Sequence, residues 1–320
     1  MSELDDRIEA GMKQVEETLR HAMEGSSVLG DMGSSLIESG GKRIRPELLM
    51  VSYLAGGGED ISETVEVATA FELIHTASLI HDDITDDPTL RRRRPAPHRR
   101  YGLSRALIAG DFIFAKSFQL LAGVNEEVST IIADAALATA EGEHVELMLS
   151  FDATVTRDQH ENIMMKKTAA LFTAAAMAGA SMSGMDEEHK AALESFSTNL
   201  GLAFQITDDV LDLEPSAALT GKPSGMDLRE GRMNAVILAA LEKLKGGERD
   251  KVVRVFMASS PSTQDVEATL VIIRGTGAGG VAINRAQKHV DAAMAALEPF
   301  DESVREHLEA MAKEVVRRRS

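Results

Sequence analysis

The sequence predicts an all-α protein, and three observations carry that expectation. Apolar residues recur at helical spacing through most of the chain, and no segment sustains the alternation of a strand. Ala, Leu, Met and Glu dominate, a helix-forming vocabulary, with only 4% aromatic residues and no Trp. The breaks between periodic segments hold the Gly and Pro that punctuate helices. Length alone, 320 residues, suggests about two domains. No linker, repeat or low-complexity block divides the chain, however, so a single domain over residues 1–320 is expected, with an apolar fraction of 44% to fill its core.

A net charge of −17 favours solubility and argues against general affinity for nucleic acid, so any phosphate site must be a local basic patch. The absence of Cys excludes disulfides, thiolate zinc sites and cysteine nucleophiles, and it fits a reducing cytoplasm. The N-terminus is acidic and amphipathic, the opposite of a signal peptide. The longest apolar stretch, Ala169 to Ala180, is shorter than the roughly 20 residues of a spanning helix, so no integral membrane segment is expected.

In chain order, residues 4–23 form a first amphipathic helix, and a second short segment leads to Gly40-Gly41-Lys42-Arg43-Ile44-Arg45-Pro46. Two glycines allow close backbone approach to a ligand, and Lys42, Arg43 and Arg45 put three cations in four positions, as a phosphate contact or as a solvated helix start. A turn follows at Ala55 to Gly58. The apolar run Leu73, Ile74, Ala77, Leu79 and Ile80 then reads as a buried helix ending in Asp82-Asp83-Ile84-Thr85-Asp86-Asp87, and Pro88 stops it. Arg91 to Arg94 with Arg99 and Arg100 resemble a nucleic-acid arm, but beside so many carboxylates their forked contacts suit a diphosphate better.

Periodic segments continue at 104–122, 126–150, 158–181, 188–213, 232–245, 249–258, 264–273, 279–297 and 302–318. Turn signals separate them at Pro215 to Gly231, Gly246-Gly247, Pro261 and Gly275 to Gly280. Leu270 to Ile273 followed by Gly275, Gly277 and Gly280, with Asp301 further on, imitates a dinucleotide-binding strand and loop. The chain then offers two helical segments and stops. No second parallel strand completes such a unit, so a helix-to-helix turn is the better reading.

The acidic hexapeptide carries the chemistry. Four carboxylates in six residues repel one another unless a cation sits among them. Asp82 and Asp86 stand one turn apart on one helix face, and hard oxygen donors at that spacing suit Mg²⁺ shared with substrate phosphates. The same D-D-x-x-D device recurs 126 residues later as Asp208, Asp209 and Asp212. Either patch alone is as readily a solvated helix end. Two of them, each ending an apolar helix, would make a cage for divalent ions if they faced each other.

GGKRIRP, HDDITDDPTLRR, Lys167-Thr168-Ala169, GLAFQITDDVLD, then Gly221-Lys222-Pro223 and Asp227 fall in an order and spacing that resembles the trans-isoprenyl diphosphate synthases, over about residues 30 to 300. The first motif lacks the two-residue insertion of some bacterial and plant members, so it looks more like the archaeal and long-chain bacterial enzymes. The resemblance implies an isoprenoid-synthase-type helical bundle around a central cavity, a homodimer, and a Mg²⁺-dependent prenyltransferase with three ions. Asp82, Asp86 and Asp208 would bind the metal, with Asp83, Asp209 and Asp212 completing the catalytic motifs. Arg91, Lys167, Thr168, Gln205 and Lys222 would hold the allylic diphosphate, Lys167 and Lys222 counting among the catalytic groups. Lys42, Arg45, His75 and Arg92 would grip isopentenyl diphosphate.

The reaction implied is ionisation, condensation and elimination: the allylic C–O bond ionises, the isopentenyl double bond attacks the cation, and a proton is lost. Short-chain relatives carry an aromatic residue at the fourth or fifth position before the first aspartate. Here those positions hold Ser78 and Ala77, so the product is expected to be geranylgeranyl diphosphate or longer, with the stop deeper at Phe71, Phe114 or Phe118. There are departures. Arg93 replaces the usual Gly after the paired arginines, and Gly231-Arg232-Met233-Asn234-Ala235-Val236 replaces a Gly-Lys-x-Thr-x-Pro pattern, which leaves the role of Arg232 open. A silent modulatory subunit usually lacks one aspartate motif, and both are whole here. A terpene cyclase or head-to-head synthase would not need a second diphosphate grip such as Lys42, Arg45 and Arg92.

Overall fold

The structure, a computed structural model, describes residues 2–24, 28–38, 40–91, 94–213 and 224–317. Among these the regular structure is helical, as the sequence predicts, except for a two-residue antiparallel pair, β1 (Leu90–Arg91) with β2 (Arg94–Pro95). The chain divides into two compact units. The first holds Met1–Ala136, Leu171–Glu194 and Leu297–Glu309, and the second Leu137–Ala170, Ser195–Ala296 and Ala310–Ser320.

In the first unit, α1 (Glu3–Met23) starts at a capping box, in which the Asp5 amide donates to Ser2 Oγ and the Ser2 amide to the Asp5 carboxylate. It buries Ile8, Gly11, Val15, Leu19 and Met23, residues spaced three and four apart along one stripe. Helices α2 (Val28–Glu38), α3 (Ile44–Ala55) and α4 (Val65–Asp86) follow. Helix α4 is buried on most sides, and Phe71, Leu73 and Ile80 are wholly enclosed.

Helix α4 ends where Asp87 turns left-handed (φ 50°) before Pro88. Its carboxylate then meets His98 Nε2 at 2.9 Å and Arg99 Nη2 at 2.5 Å, both on α5 (Pro97–Tyr101). The last of the four clustered aspartates is therefore a strut for the helix end. Helix α6 (Leu103–Leu121) buries the small residues Ala106, Ala109, Gly110 and Ser117. At Gly110 a Cβ would lie 2.1 Å from the His81 imidazole of α4, so a larger residue there would require that ring to move.

Helix α7 (Glu126–Met148) has residues in both units. The predicted helix 158–181 is three pieces: α8 (Arg157–Met164), a π-helical turn Met165–Ala169, and α9 (Ala170–Met182). Helix α10 (Glu187–Leu213) matches its expectation. A short α11 (Met226–Glu230) forms inside the predicted Pro215 to Gly231 turn. Helix α12 (Ala235–Lys243) begins later than predicted, because Asn234 Oδ1 caps it by accepting from the amides of Val236 (3.0 Å) and Ile237 (2.8 Å).

Helices α13 (Gly246–Phe256), α14 (Thr263–Gly275), α15 (Ala278–Ala295) and α16 (Glu302–Arg317) complete the described chain. Leu270 to Ile273 lie inside α14, and Gly277 (φ 69°) opens α15, so the imitation dinucleotide loop is a turn between helices. Among the described residues no single helix is long and apolar enough to cross a membrane.

Candidate active site

Helix α4 presents the first acidic motif in the first unit. Asp82 and Asp86 are half-buried, while Asp83 between them is wholly buried. Thr85 Oγ1 donates to Asp86 Oδ1 (3.1 Å) and to the Asp82 carbonyl (2.9 Å), which fixes the last turn. Earlier on the helix His75 is half-buried, Ser78 Oγ donates to the His75 carbonyl (2.9 Å), and Ala77 sits in the core.

Of the GGKRIRP cations, Lys42 is exposed, whereas Arg43 and Arg45 are buried. The Arg45 guanidinium lies 4.7 Å from the centre of the Phe172 ring. In the arginine run, Arg94 Nη1 donates to the Ser35 carbonyl (3.2 Å), Arg99 holds Asp87, and Arg100 stacks on Tyr101. Those three exposed arginines make contacts within the protein. Arg92, Arg93, Gly221, Lys222 and Pro223, with the side chain of Arg91, lie outside the described residues.

The second unit gathers the remaining predicted groups around the π turn. Lys167 and Thr168 sit within it. A Cβ on Gly142 of α7 would come 2.7 Å from the Lys167 amide nitrogen, and one on Gly201 of α10 would come 2.6 Å from Ala169 Cα. Two glycines thus let neighbouring helices press on the widened turn. Thr168 Oγ1 donates to Gln205 Oε1 (2.6 Å), Gln205 Nε2 donates to Asp209 Oδ1 (2.9 Å), and the Ala235 amide donates to Asp209 Oδ2 (2.8 Å).

Asp209, like Asp83 in the first motif, is buried, while Asp208 and Asp212 are half-buried. Asp212 accepts from the amides of Met226 (3.1 Å) and Asp227 (3.3 Å), and Asn234 Nδ2 donates to Asp227 Oδ2 (2.8 Å). Lys167 Nζ lies 2.5 Å from both Glu143 and Glu146. Arg232, whose role was open, approaches Glu146 (3.4 Å), Glu143 (3.9 Å) and Glu230 (3.4 Å). A polar cavity of about 80 Å³ is bounded by His160, Lys167, Thr168, Gln205, Asp209 and Arg232, among others.

The electrostatics separate these groups. Burial, helped by Asp227, pushes the Asp209 carboxyl up to about 8. Asp212 is raised by burial first and Asp227 next, and Asp227 is raised by burial, which outweighs the lowering bond from Asn234. Burial works to raise Glu146 too, but Lys167 and Arg232 outweigh it and hold this carboxyl below its ordinary value. His160, 3.6 Å from Asp209, is pushed down to about 4 by burial and then by Arg285. Among the described residues no three His, Asp or Glu side chains converge as a ready-made metal cage. The donors nevertheless fit a hard divalent cation, since each motif sets two half-buried carboxylates four residues apart on one helix.

The sequence model of the polyprenyl synthetase family matches residues 26–273. The chain belongs to the polyprenyl synthetase family. It is 36% identical over 321 residues to the short chain isoprenyl diphosphate synthase of Methanothermobacter thermautotrophicus, covering 98% of this chain and 95% of the relative. It is 33% identical to the octaprenyl diphosphate synthase of Haemophilus influenzae, over 86% of this chain and 84% of that one. The crystal structure of a Caulobacter crescentus polyprenyl synthase, complexed with calcium and isoprenyl diphosphate, superimposes with a TM-score of 0.94 at 34% identity over 98% of each chain.

The fold is therefore the all-α isoprenoid synthase fold, and the activity is prenyl diphosphate chain elongation by a trans-prenyltransferase of a metal-dependent family. These relatives range from a short chain synthase to an octaprenyl synthase. Sequence reasoning missed Glu143, Glu146, His160 and Asn234. Gly142 beside Glu143, in an otherwise good helix, was the signal that something approaches there.

Proposed function

We propose that this enzyme condenses isopentenyl diphosphate with an allylic diphosphate and releases geranylgeranyl diphosphate (C20) or a longer product. The observation that carries the length is the pair Ala77 and Ser78 on α4, small side chains in the turn before Asp82. Phe71, Ser78 and Asp82 fall on one face of α4, because spacings of seven and eleven residues are near whole turns. Phe71 lies about 16 Å from Asp82 along the axis at 1.5 Å per residue. Its ring is wholly buried, whereas Phe118 is 49% exposed, so Phe71 is the stop favoured here.

Asp82, Asp86 and Asp208 would hold magnesium, three ions in all, supported by Asp83, Asp209 and Asp212. When bound, the metal supplies Lewis-acid stabilisation of the departing diphosphate, so that the allylic C–O bond ionises. Arg91, Lys167, Thr168, Gln205 and Lys222 orient the allylic diphosphate. Lys42, Arg45, His75 and Arg92 place isopentenyl diphosphate so that its double bond attacks the cation. Water must be kept from the cation, which it would quench, until the proton lost in the elimination passes to the released diphosphate.

The whole chain acts as one polyprenyl synthase domain in the cytoplasm, a location supported by the lack of Cys. It pairs as a homodimer, which the exposed Leu103, Leu107, Ile108 and Phe118 on α6 support. Incubation with Mg²⁺, isopentenyl diphosphate and labelled allylic diphosphates, followed by chromatography of the products, tests the reading. A C20 or longer product is expected, and Ala77→Tyr should shorten it, because a ring cannot share that volume with an isoprenoid tail. A wild-type product that stops at C15 would reject the length assignment.

A further inference from the structure

We infer that Arg43, the middle cation of the Lys42, Arg43 and Arg45 set, is a positioning residue for the isopentenyl diphosphate grip, a strut that locks its loop onto helix α4 without touching substrate. The sequence puts three cations in four positions, and the family resemblance gives roles to Lys42 and Arg45 but none to Arg43. The backbone at Arg43 is left-handed (φ 48°, ψ 34°), a conformation that side chains other than Gly rarely adopt. This reverses the direction of its side chain. Lys42 stays in solvent, while the Arg43 guanidinium goes into the first unit and keeps only 6% of its surface exposed.

All three guanidinium nitrogens have partners, and each partner is on a different helix. Nε donates to Glu16 of α1 (2.6 Å), Nη1 to Glu72 of α4 (2.5 Å), and Nη2 to the Ile37 carbonyl in the last turn of α2 (2.9 Å). Only a planar fork satisfies three such directions at once, and a lysine cannot. With every guanidinium nitrogen bonded and almost no surface exposed, Arg43 is spent on the fold rather than presented to a diphosphate.

Its position is what matters for the reaction. Glu72, itself buried, stands three residues before His75 on α4, so the strut runs from the start of α3, with Lys42 just before it and Arg45 in its first turn, to the turn that carries His75. Three proposed isopentenyl ligands are thereby held in one register. A strained backbone persists only where its surroundings over-determine it, and here the guanidinium contacts do so. The inference rests on the reading of Lys42, Arg45 and His75 as isopentenyl diphosphate ligands.

The test separates positioning from stability. Removing Arg43 alone strands the buried Glu72 charge and destabilises the protein, whereas replacing both partners by apolar residues is often neutral. Steady-state constants and Tm are therefore measured for the double variant Arg43→Met/Glu72→Leu, for Arg43→Lys and for Lys42→Ala. The double variant should keep a near wild-type Tm, kcat and allylic KM, while its isopentenyl KM rises about tenfold or more, as expected when pre-positioned ligands drift.

Arg43→Lys, which keeps the charge and loses the fork, should raise the same constant by a smaller factor and keeps the test valid if the double variant folds poorly. An isopentenyl KM that recovers together with Tm in the double variant, that stays unchanged in Arg43→Lys, or that rises no more than the allylic KM would overturn the inference. Lys42→Ala separates the two readings. If it leaves the isopentenyl KM unchanged while the Arg43 variants raise it, the Lys42 assignment has failed and the Arg43 strut stands.

Discussion

Asp83 and Asp209 take the second place in their motifs and are buried, while Asp82, Asp86, Asp208 and Asp212 stay half-buried. Residues of one type, a single position apart, therefore answer to different physics. Asp82→Ala or Asp208→Ala removes a charge needed mainly in the transition state, so turnover should fall by several orders of magnitude. Tm should hold or rise as carboxylate repulsion is relieved. Near wild-type turnover at saturating Mg²⁺ would reject the metal assignment. Asp209→Ala should instead lower stability by about 1–3 kcal/mol, because it orphans the Ala235 amide and the Gln205 side chain, and denaturant unfolding would show it.

Single elements position these residues, and the π turn at Met165–Ala169 is the one most exposed to a small change. Such turns concentrate at functional sites, where an extra residue in the helix redirects side chains. Gly142→Ala would put a methyl group 2.7 Å from the Lys167 amide nitrogen. Overpacking of that kind costs about 1–3 kcal/mol. If Lys167 and Thr168 hold the allylic diphosphate, the variant should raise the KM of that substrate more than that of isopentenyl diphosphate. On α4, Phe71→Leu should shift the product distribution to greater length, read by chromatography of the dephosphorylated alcohols. An unchanged distribution would place the stop elsewhere.

Across the molecule, helices distant in sequence are tied by a few polar clamps. His307 of α16 places Nδ1 2.9 Å from Asp5 of α1 and Nε2 3.1 Å from Glu47 of α3. Burial works to lower its pKa, but the bonds to Glu47 and Asp5 outweigh that and raise it above the ordinary 6.5. Asp5 is lowered to about 2, first by the Ser2 amide and then by His307. A raised histidine stabilises the fold fully below 6.5 and loses that contribution as pH climbs through its folded value. A lowered carboxylate contributes above 3.8 and loses it as pH falls toward about 2.

The stability gap between wild type and His307→Gln should therefore be widest between about pH 4 and about pH 6.5, and should close above that range. Denaturant unfolding at several pH values measures it. Buried His160, held neutral and acting in the opposite sense below 6.5, cancels in the difference. On the exposed face of α6, Leu107→Lys with Ile108→Lys should convert the proposed dimer to monomers in sedimentation, and an unchanged mass would reject that face.

How much was legible beforehand follows from the range of the forces involved. Helix class, the two acidic helix ends and the family were determined by the sequence alone, because apolar periodicity and carboxylate spacing act within a turn or two of the chain. Lys167, Thr168, Gln205 and Asp209 were named from their motifs, but their joining into one hydrogen-bonded line was not, since it needs α10, α12 and the π turn at one place. Glu143 and Glu146 carried no motif. They matter because Lys167 and Arg232 reach them from residues far along the chain. Arg43 shows the limit most plainly, because its left-handed backbone and its three partners on α1, α2 and α4 are invisible in the sequence. Local propensity sets which helix forms. Which way a charged side chain faces depends on the partners that tertiary packing brings within bonding distance, because burying a charge is tolerable only where such partners wait.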